Sequence, residues 1–292
     1  SNATKIDGLN NFNTSKVINM NWMFGDSAAT SLDLSNFDTK NVTDMSSMFH
    51  DSKAASLDVS NFDTSNVTDM TNMFKNTSIS SLDVSNFNTS KVTSMSSMFM
   101  EISASKIIGL DKFDTSKVKN MLQMFMNAKV TELDLSSFDT SNVTDMTRML
   151  LGVNVDEIKG LENFNTSNVT TMDSMFRSCK SSTINVSNFD TSKVTNMANL
   201  FAFTENENLD ISNFDTSNVT DMSYMFYGSK VKTIYASDKF VTDAVTSDTY
   251  MFRDNSNLVG GNGTKFNSSY TDKTYARIDT ASTPGYFTLK SN

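Results

Sequence analysis

Cysteine is almost missing from this chain. Cys179 is alone among 292 residues, so no internal disulfide can form, which neither requires nor excludes export. Basic charge is short as well. Lysine and arginine number 24 against 33 acidic residues, a net charge of −9, with a pI near 4.6. Such a chain lacks the basic face that nucleic acid or an anionic membrane would require. No apolar run approaches the roughly 18 residues of a membrane span, so direct membrane insertion is not expected. No secretion signal is visible. Residues 1–3, Ser1-Asn2-Ala3, read as a scar of tag removal. Any export signal or wall anchor is then expected to lie outside this sequence. Histidine and tryptophan occur once each, as His50 and Trp22.

What is present is a repeat. Phe12, Phe37, Phe62, Phe87, Phe113, Phe138, Phe164, Phe189, Phe214 and Phe240 recur every 25 or 26 residues. Valine follows each by five residues, and Met-Phe follows most of them by eleven and twelve. A fixed period in the twenties with apolar residues at fixed offsets is the signature of a solenoid. The length alone would suggest two domains, but stacked coils grow without a second core.

Residues 31–51 show the local pattern. Leu32 and Leu34 alternate with Asp33 and Ser35, which predicts a short half-buried strand. Val42, Met45, Met48 and Phe49 then fall on one face of a helix. Each coil is expected to be a strand, a turn and about two turns of helix. One coil's apolar set does not offset its own ordering entropy, so neighbours must share burial. The expected class is α/β, a solenoid of about ten strand–turn–helix coils with one parallel sheet. Ten strands spaced about 4.8 Å apart give a rod on the order of 45–50 Å long.

Most of the 20 methionines occupy the inward sites, among them Met45, Met70, Met95, Met121, Met146, Met172, Met197 and Met222. Core filling is the expectation, with oxidation as the weakness. The repeats fill 4–252. Beyond Phe252 the period is lost. Gly260-Gly261-Asn262-Gly263 predicts a flexible turn, followed by apolar-rich pieces around Pro284, the only proline. Residues 253–292 read as a small C-terminal cap of strands and loops, because an end coil must be covered.

Polar positions recur too. Thr14, Thr39, Thr64, Thr89, Thr115, Thr140, Thr166, Thr191, Thr216 and Thr242 each follow the phenylalanine by two. They are expected to be helix N-caps or turn hydroxyls. Asn41, Asn66, Asn142 and Asn218, each followed by aspartate three residues on, compete for the cap. Lysine replaces that asparagine at Lys16, Lys91, Lys117 and Lys193, which favours threonine.

Two acidic ladders follow from the period. Asp33, Asp58, Asp83, Asp134 and Asp210 take the outward middle of the strand, with Gly8, Gly109, Gly160, Asn185 and Ala236 elsewhere. This broken stripe is the candidate ligand-binding feature, suited to a basic ligand. Asp38, Asp63, Asp114, Asp139, Asp190 and Asp215 form the second ladder, interleaved with Asn13, Asn88 and Asn165. Solubility and turn capping explain both. Weak calcium binding between adjacent aspartates is the one metal chemistry they offer, and no metal is otherwise assigned.

Catalytic signals are missing. His50 follows Phe49 at a position that varies among coils and reads as an exposed loop histidine. Cys179 lies about five coils away, roughly 24 Å along the stack, too far for a nucleophilic pair. A zinc site lacks its usual ligands. Gly260 to Lys265 lack both the Walker spacing and a following helix. No catalytic residue, no cofactor and no pocket with convergent titratable groups is expected. Asn41, Asn66, Asn142, Asn168 and Asn218 head Asn-Val-Thr tripeptides. Glycans on adjacent coils would crowd, which favours a bacterial host that leaves them bare.

Leu-Asp-Leu-Ser-Asn-Phe-Asp-Thr and Asn-Val-Thr-Asp-Met-Ser-Ser-Met-Phe, within residues 32–49, resemble the BspA-like bacterial surface proteins. More narrowly, they resemble the 25-residue repeat class first noted in mycoplasma proteins of unknown function. The stretch from Val259 to Ser268 and the later Tyr-Ala-Arg-Ile-Asp resemble the end of such arrays. The likeness spans residues 6–289. It implies a leucine-rich-repeat-like solenoid, export, and attachment to a cell surface through segments outside this chain. It also implies adhesion, with a host or bacterial surface protein or glycan as partner. Phenylalanine, valine and methionine stand where leucine is usual. The alternative is a rigid spacer that displays another domain and has no ligand site of its own.

Overall fold

The computed structural model describes residues 3–290; Ser1 and Asn2 of the expected scar lie outside the described residues. The period is realised as stacked coils. Its regular strands are short and form three small parallel sheets rather than one continuous sheet. Strand β1 (Ser81–Asp83) pairs with β2 (Lys106–Ile108), and β3 (Leu133–Asp134) with β4 (Ile158–Lys159). Strand β5 (Asn208–Asp210) pairs with β6 (Thr233–Ala236), which also takes β7 (Phe287–Leu289) from the C-terminal segment. A second parallel ladder, one residue wide, passes through Asn19, Asp44, Asp69, Ser94, Asn120, Asp145, Thr171, Asn196, Asp221 and Ser247.

The expected helix is not there. Among the described residues the only helical pieces are 3-10 turns at Leu9–Asn11, Leu110–Lys112, Leu161–Asn163 and Lys273–Tyr275. The Val/Met/Met-Phe segment is a chain of tight turns. Met48 N–H donates to the Met45 carbonyl (3.2 Å), His50 to Ser47 (3.1 Å) and Ser52 to Phe49 (3.1 Å). The amides between them leave the coil. Met45, Ser47, Phe49 and Asp51 donate to Asp69, Thr71, Met73 and Lys75 of the next coil at 2.7–3.1 Å. Ser47 and Asp51 are left-handed (φ 56° and 55°), as are Asn72 and Asn76 (56° and 51°). A left-handed residue every fourth position breaks an α-helix. It still returns Met45, Met48 and Phe49 to one inner side, so the apolar spacing mimics a helical face.

One hydrophobic cluster runs from Leu9 to Phe287. Phe24, Phe49, Phe74, Phe99 and Phe125 stack with ring centroids 5.5–6.0 Å apart. Leu150 interrupts that column, and Phe176, Phe201, Phe226 and Phe252 resume it. The leading phenylalanines form a neighbouring column, with Phe62 at 6.4 Å from Phe49 and Phe87 at 6.3 Å from Phe74. Met45, Met70, Met95, Met121, Met146, Met172, Met197 and Met222 are all buried inside.

The C-terminal segment closes one end. Phe287 packs edge-on against Phe240 and Phe252. The Tyr286 hydroxyl accepts the Asn267 N–H at 3.0 Å and donates to the Tyr270 carbonyl at 3.1 Å. The glycine-rich turn is pinned, not free. Asp279 accepts the Asn262 and Thr264 amides (2.8 and 2.9 Å), the Thr264 hydroxyl (2.7 Å) and the Gly285 amide (3.2 Å). Burial pushes its carboxyl up, but these donors outweigh that and hold it below the ordinary range. At the other end Phe12, Ile18 and Trp22 are exposed.

Candidate functional site

The recurrent threonines do not cap their own turns. Each buried hydroxyl joins two coils. Thr39 Oγ1 donates to the Asp63 carbonyl (3.0 Å) and accepts the Asp63 N–H (2.8 Å). Thr64 treats Asn88 in the same way, and Thr14 treats Asp38. The asparagines bond in the opposite direction. Asn41, Asn66, Asn142, Asn168 and Asn218 donate Nδ2 to a carbonyl of the preceding coil at 2.7–2.8 Å. Lys91 and Lys193, which replace asparagine, reach back to Asn66 and Asn168.

Both acidic ladders are occupied with local turns. Asp33, Asp58, Asp83, Asp134 and Asp210 each accept the amide of a serine two residues on, at 2.9–3.2 Å. The bonded serine holds the carboxyls of Asp33, Asp58, Asp83 and Asp134 below the usual range. At Asp210 burial pushes upward, and Ser212 with Lys290 hold it lower overall. Asp38, Asp63, Asp114, Asp139, Asp190 and Asp215 repeat the turn with the amides of Lys40, Ser65, Ser116, Ser141, Ser192 and Ser217.

The register corrects the strand stripe. Asp83 faces Ile108, Asp134 faces Lys159, and Asp210 faces Tyr235. Gly109, Gly160 and Ala236 are each displaced by one residue from the stripe. The cause is the extra residue of a 26-residue unit, which enters between the strand and the phenylalanine. The uninterrupted acidic part is Asp33, Asp58 and Asp83.

Beside this face a shallow groove of about 330 Å³ is lined by Ile108, Leu110, Asp111, Glu132, Asp134 and Lys159 among others. Titratable groups do converge there, contrary to expectation. Lys106 and Glu132 are paired at 2.9 Å, Asp134 is held by Ser136, and no histidine or cysteine lines the groove. Cys179 is buried, and burial pushes its thiol up to about 11, which suits a core residue and not a nucleophile. His50 is not an exposed loop residue. Its side chain is 13% exposed and its ring meets Trp22 edge-on at 4.7 Å.

The turn side carries a partly exposed aromatic cluster. Phe203 and Tyr227 lie 4.8 Å apart, Tyr227 and Tyr224 5.7 Å, and Tyr224 and Tyr250 5.7 Å. Phe203 and Tyr250 are 39% and 42% exposed. The Arg253 guanidinium sits 4.5 Å over Tyr250, and that of Arg177 5.8 Å over Phe203. This ridge spans three coils of the stack.

A family model described as "Mycoplasma protein of unknown function, DUF285" matches residues 1–108, 78–155 and 152–266. The chain belongs to this family. No curated protein and no solved structure matches it. The DUF285 matches follow one another along the coils, so the family is recognised by the repeat and not by a site within it. In this DUF285 chain no helix among the described residues is long and apolar enough to cross a membrane.

The ridge lies outside the positions that recur, so the period does not announce it. Phe203, Tyr224 and Tyr250 are left-handed turn residues (φ 58°, 59° and 54°). Other DUF285 coils of this chain carry Ser47, Asn72, Ser97 or Asn199 at the positions of Tyr224 and Tyr250. Trp22, Gln123 and Arg148 hold the same position in other coils, so the signal is not size alone but aromatic rings at left-handed turn positions of three successive coils.

Proposed function

We propose that this chain is a non-catalytic binding module, displayed outside a bacterial cell, that holds a surface protein or glycan on its aromatic ridge. One observation carries the reading: four aromatic rings in mutual contact, flanked by two arginines, on an otherwise hydroxyl- and acid-rich surface. Aromatic and arginine side chains supply most of the affinity at binding surfaces, and rings with a polar rim suit both peptide and sugar faces. The resemblance to BspA-like surface proteins supports display and adhesion. The acidic stripe is a poorer anchor, since its carboxylates are engaged by their own turns.

The second reading is a spacer, and the unbroken hydrogen-bonded stack favours it. Binding to a panel of matrix proteins and glycans separates the two. A ligand in the panel is expected to lose about thirtyfold in affinity, or about 2 kcal/mol, with Phe203→Ser and Tyr250→Ser together. The Asp33/Asp58/Asp83 triple Asn variant is expected to bind like the parent. No ligand in the panel, or equal binding by the ridge variant, favours the spacer.

A further inference from the structure

The first two coils bring together three side chains that the repeat does not otherwise combine. Asp26 and Asp51 hold the same left-handed turn position in successive coils (φ 53° and 55°). Asp26 N–H donates to the His50 carbonyl at 2.7 Å, which fixes the two turns against each other. One ligand atom from each of Asp26, His50 and Asp51 lies within 4.8 Å of the other two. Among the described residues this is the only such group of three or more histidine, cysteine or acidic side chains. Later coils place Asn76, Glu101, Asn127, Gly152, Ser178, Phe203, Gly228 and Asp254 at this position. Only Asp254 repeats the aspartate, and Arg253 stands before it where His50 stands before Asp51.

The histidine supplies an independent observation. Its Nδ1 is shielded from solvent and makes no hydrogen bond. It nevertheless sits 3.1 Å from Asp51 Oδ2, close enough for a hydrogen bond but out of line for one. Two ligands bound about 2.1 Å from a common ion lie roughly 3.0–3.5 Å apart, with neither aimed at the other. The separation and the misalignment both match a chelate. The outer groups fit as well. Asn76 Nδ2 donates to Asp51 Oδ1, which orients the carboxylate and leaves Oδ2 to the imidazole side. Trp22 packs edge-on against the ring.

We propose that Asp26, His50 and Asp51 form a binding site for a divalent transition ion of the zinc type, completed by water. A nitrogen with two carboxylates suits that class better than calcium, which takes oxygen alone. The site joins coils one and two through a bond that no other pair of coils has. It is separate from the aromatic ridge and does not depend on it.

Trp22 is the only tryptophan, so it reports on this site alone. Titration of the full chain with Zn²⁺ is expected to give one ion per chain by calorimetry and a saturable change in Trp22 emission. Zinc is also expected to raise the melting temperature, and Ca²⁺ at the same concentration to do neither. His50→Leu copies Leu151 at the equivalent position, and Asp51→Asn copies Asn76, so both variants are expected to fold. Each is expected to weaken zinc at least about tenfold, the effect of disturbing even an outer partner of a metal. Unchanged affinity in His50→Leu overturns the proposal. So does a parent chain with no saturable response to Zn²⁺, which would leave an imidazole between two carboxylates and nothing more.

Discussion

A single buried hydroxyl sets the contact between coils. Thr64 Oγ1 satisfies both the amide and the carbonyl of Asn88, and is 1% exposed. Thr64→Ala strands both groups and is expected to cost roughly 1–3 kcal/mol in urea unfolding, while Thr64→Ser keeps most of the stability. The aspartates act through charge and geometry together. Bonds from their serines hold Asp33, Asp58, Asp83 and Asp134 below the ordinary carboxylate range. A carboxyl with a lowered folded pKa stabilises fully above its unfolded value, about 3.9, and loses that contribution as pH falls through the folded value. The melting temperature is therefore expected to fall as pH drops below about 4. Asp58→Asn should flatten its share of that fall, since Asn185 accepts the Ser187 amide in the same turn. These roles were half legible. The recurrence of threonine and aspartate announced hydroxyl and turn bonding, but which coil receives the bond is set by the stacking offset, which no single coil encodes. His50 shows the limit most clearly. Its partner Asp26 is a coil away in the chain and next to it in space.

At the scale of the element, the apolar spacing predicts a helix and the chain forms turns instead. Val42, Met45, Met48 and Phe49 lie on one inner side in either form. The discriminating residues are Asp51, Asn76, Asn127, Gly152 and Gly228, types that accept left-handed backbone. Their recurrence in most coils is the legible signal for turns, although Glu101, Ser178 and Phe203 take the same backbone in the others. Far-ultraviolet circular dichroism is expected to lack the helical double minimum. Gly152 (φ 69°) tests the turn ladder directly, because a Cβ there would come 2.1 Å from Asn127 Oδ1. Gly152→Val is expected to cost roughly 1–3 kcal/mol by thermal melting. In a helix the same change would cost far less, since valine is a better helix residue than glycine. The strand stripe was legible in its residue types and misaligned by one wherever a 26-residue unit intervenes. The single extra residue adds nothing to the composition and changes only what faces what.

At the scale of the molecule the period announces the stack and its continuous core. It could not give the ridge, which consists of the residues that depart from the repeat. One feature of the stack bears on what it can withstand. The turn-ladder amides of each coil donate toward the following coil, from Met45 and Phe49 to Asp69 and Met73, and onward from Met70 and Phe74 to Ser94 and Met98. These bonds lie along the long axis. A tether pulling the two ends apart would therefore draw on one layer at a time, peeling it from its neighbour like a coil of rope. Held in an optical trap, the chain is expected to lengthen in a regular staircase. Each step would release one repeat, about 80 Å of extended polypeptide. Such an object yields gradually under drag where a compact globule would let go at once.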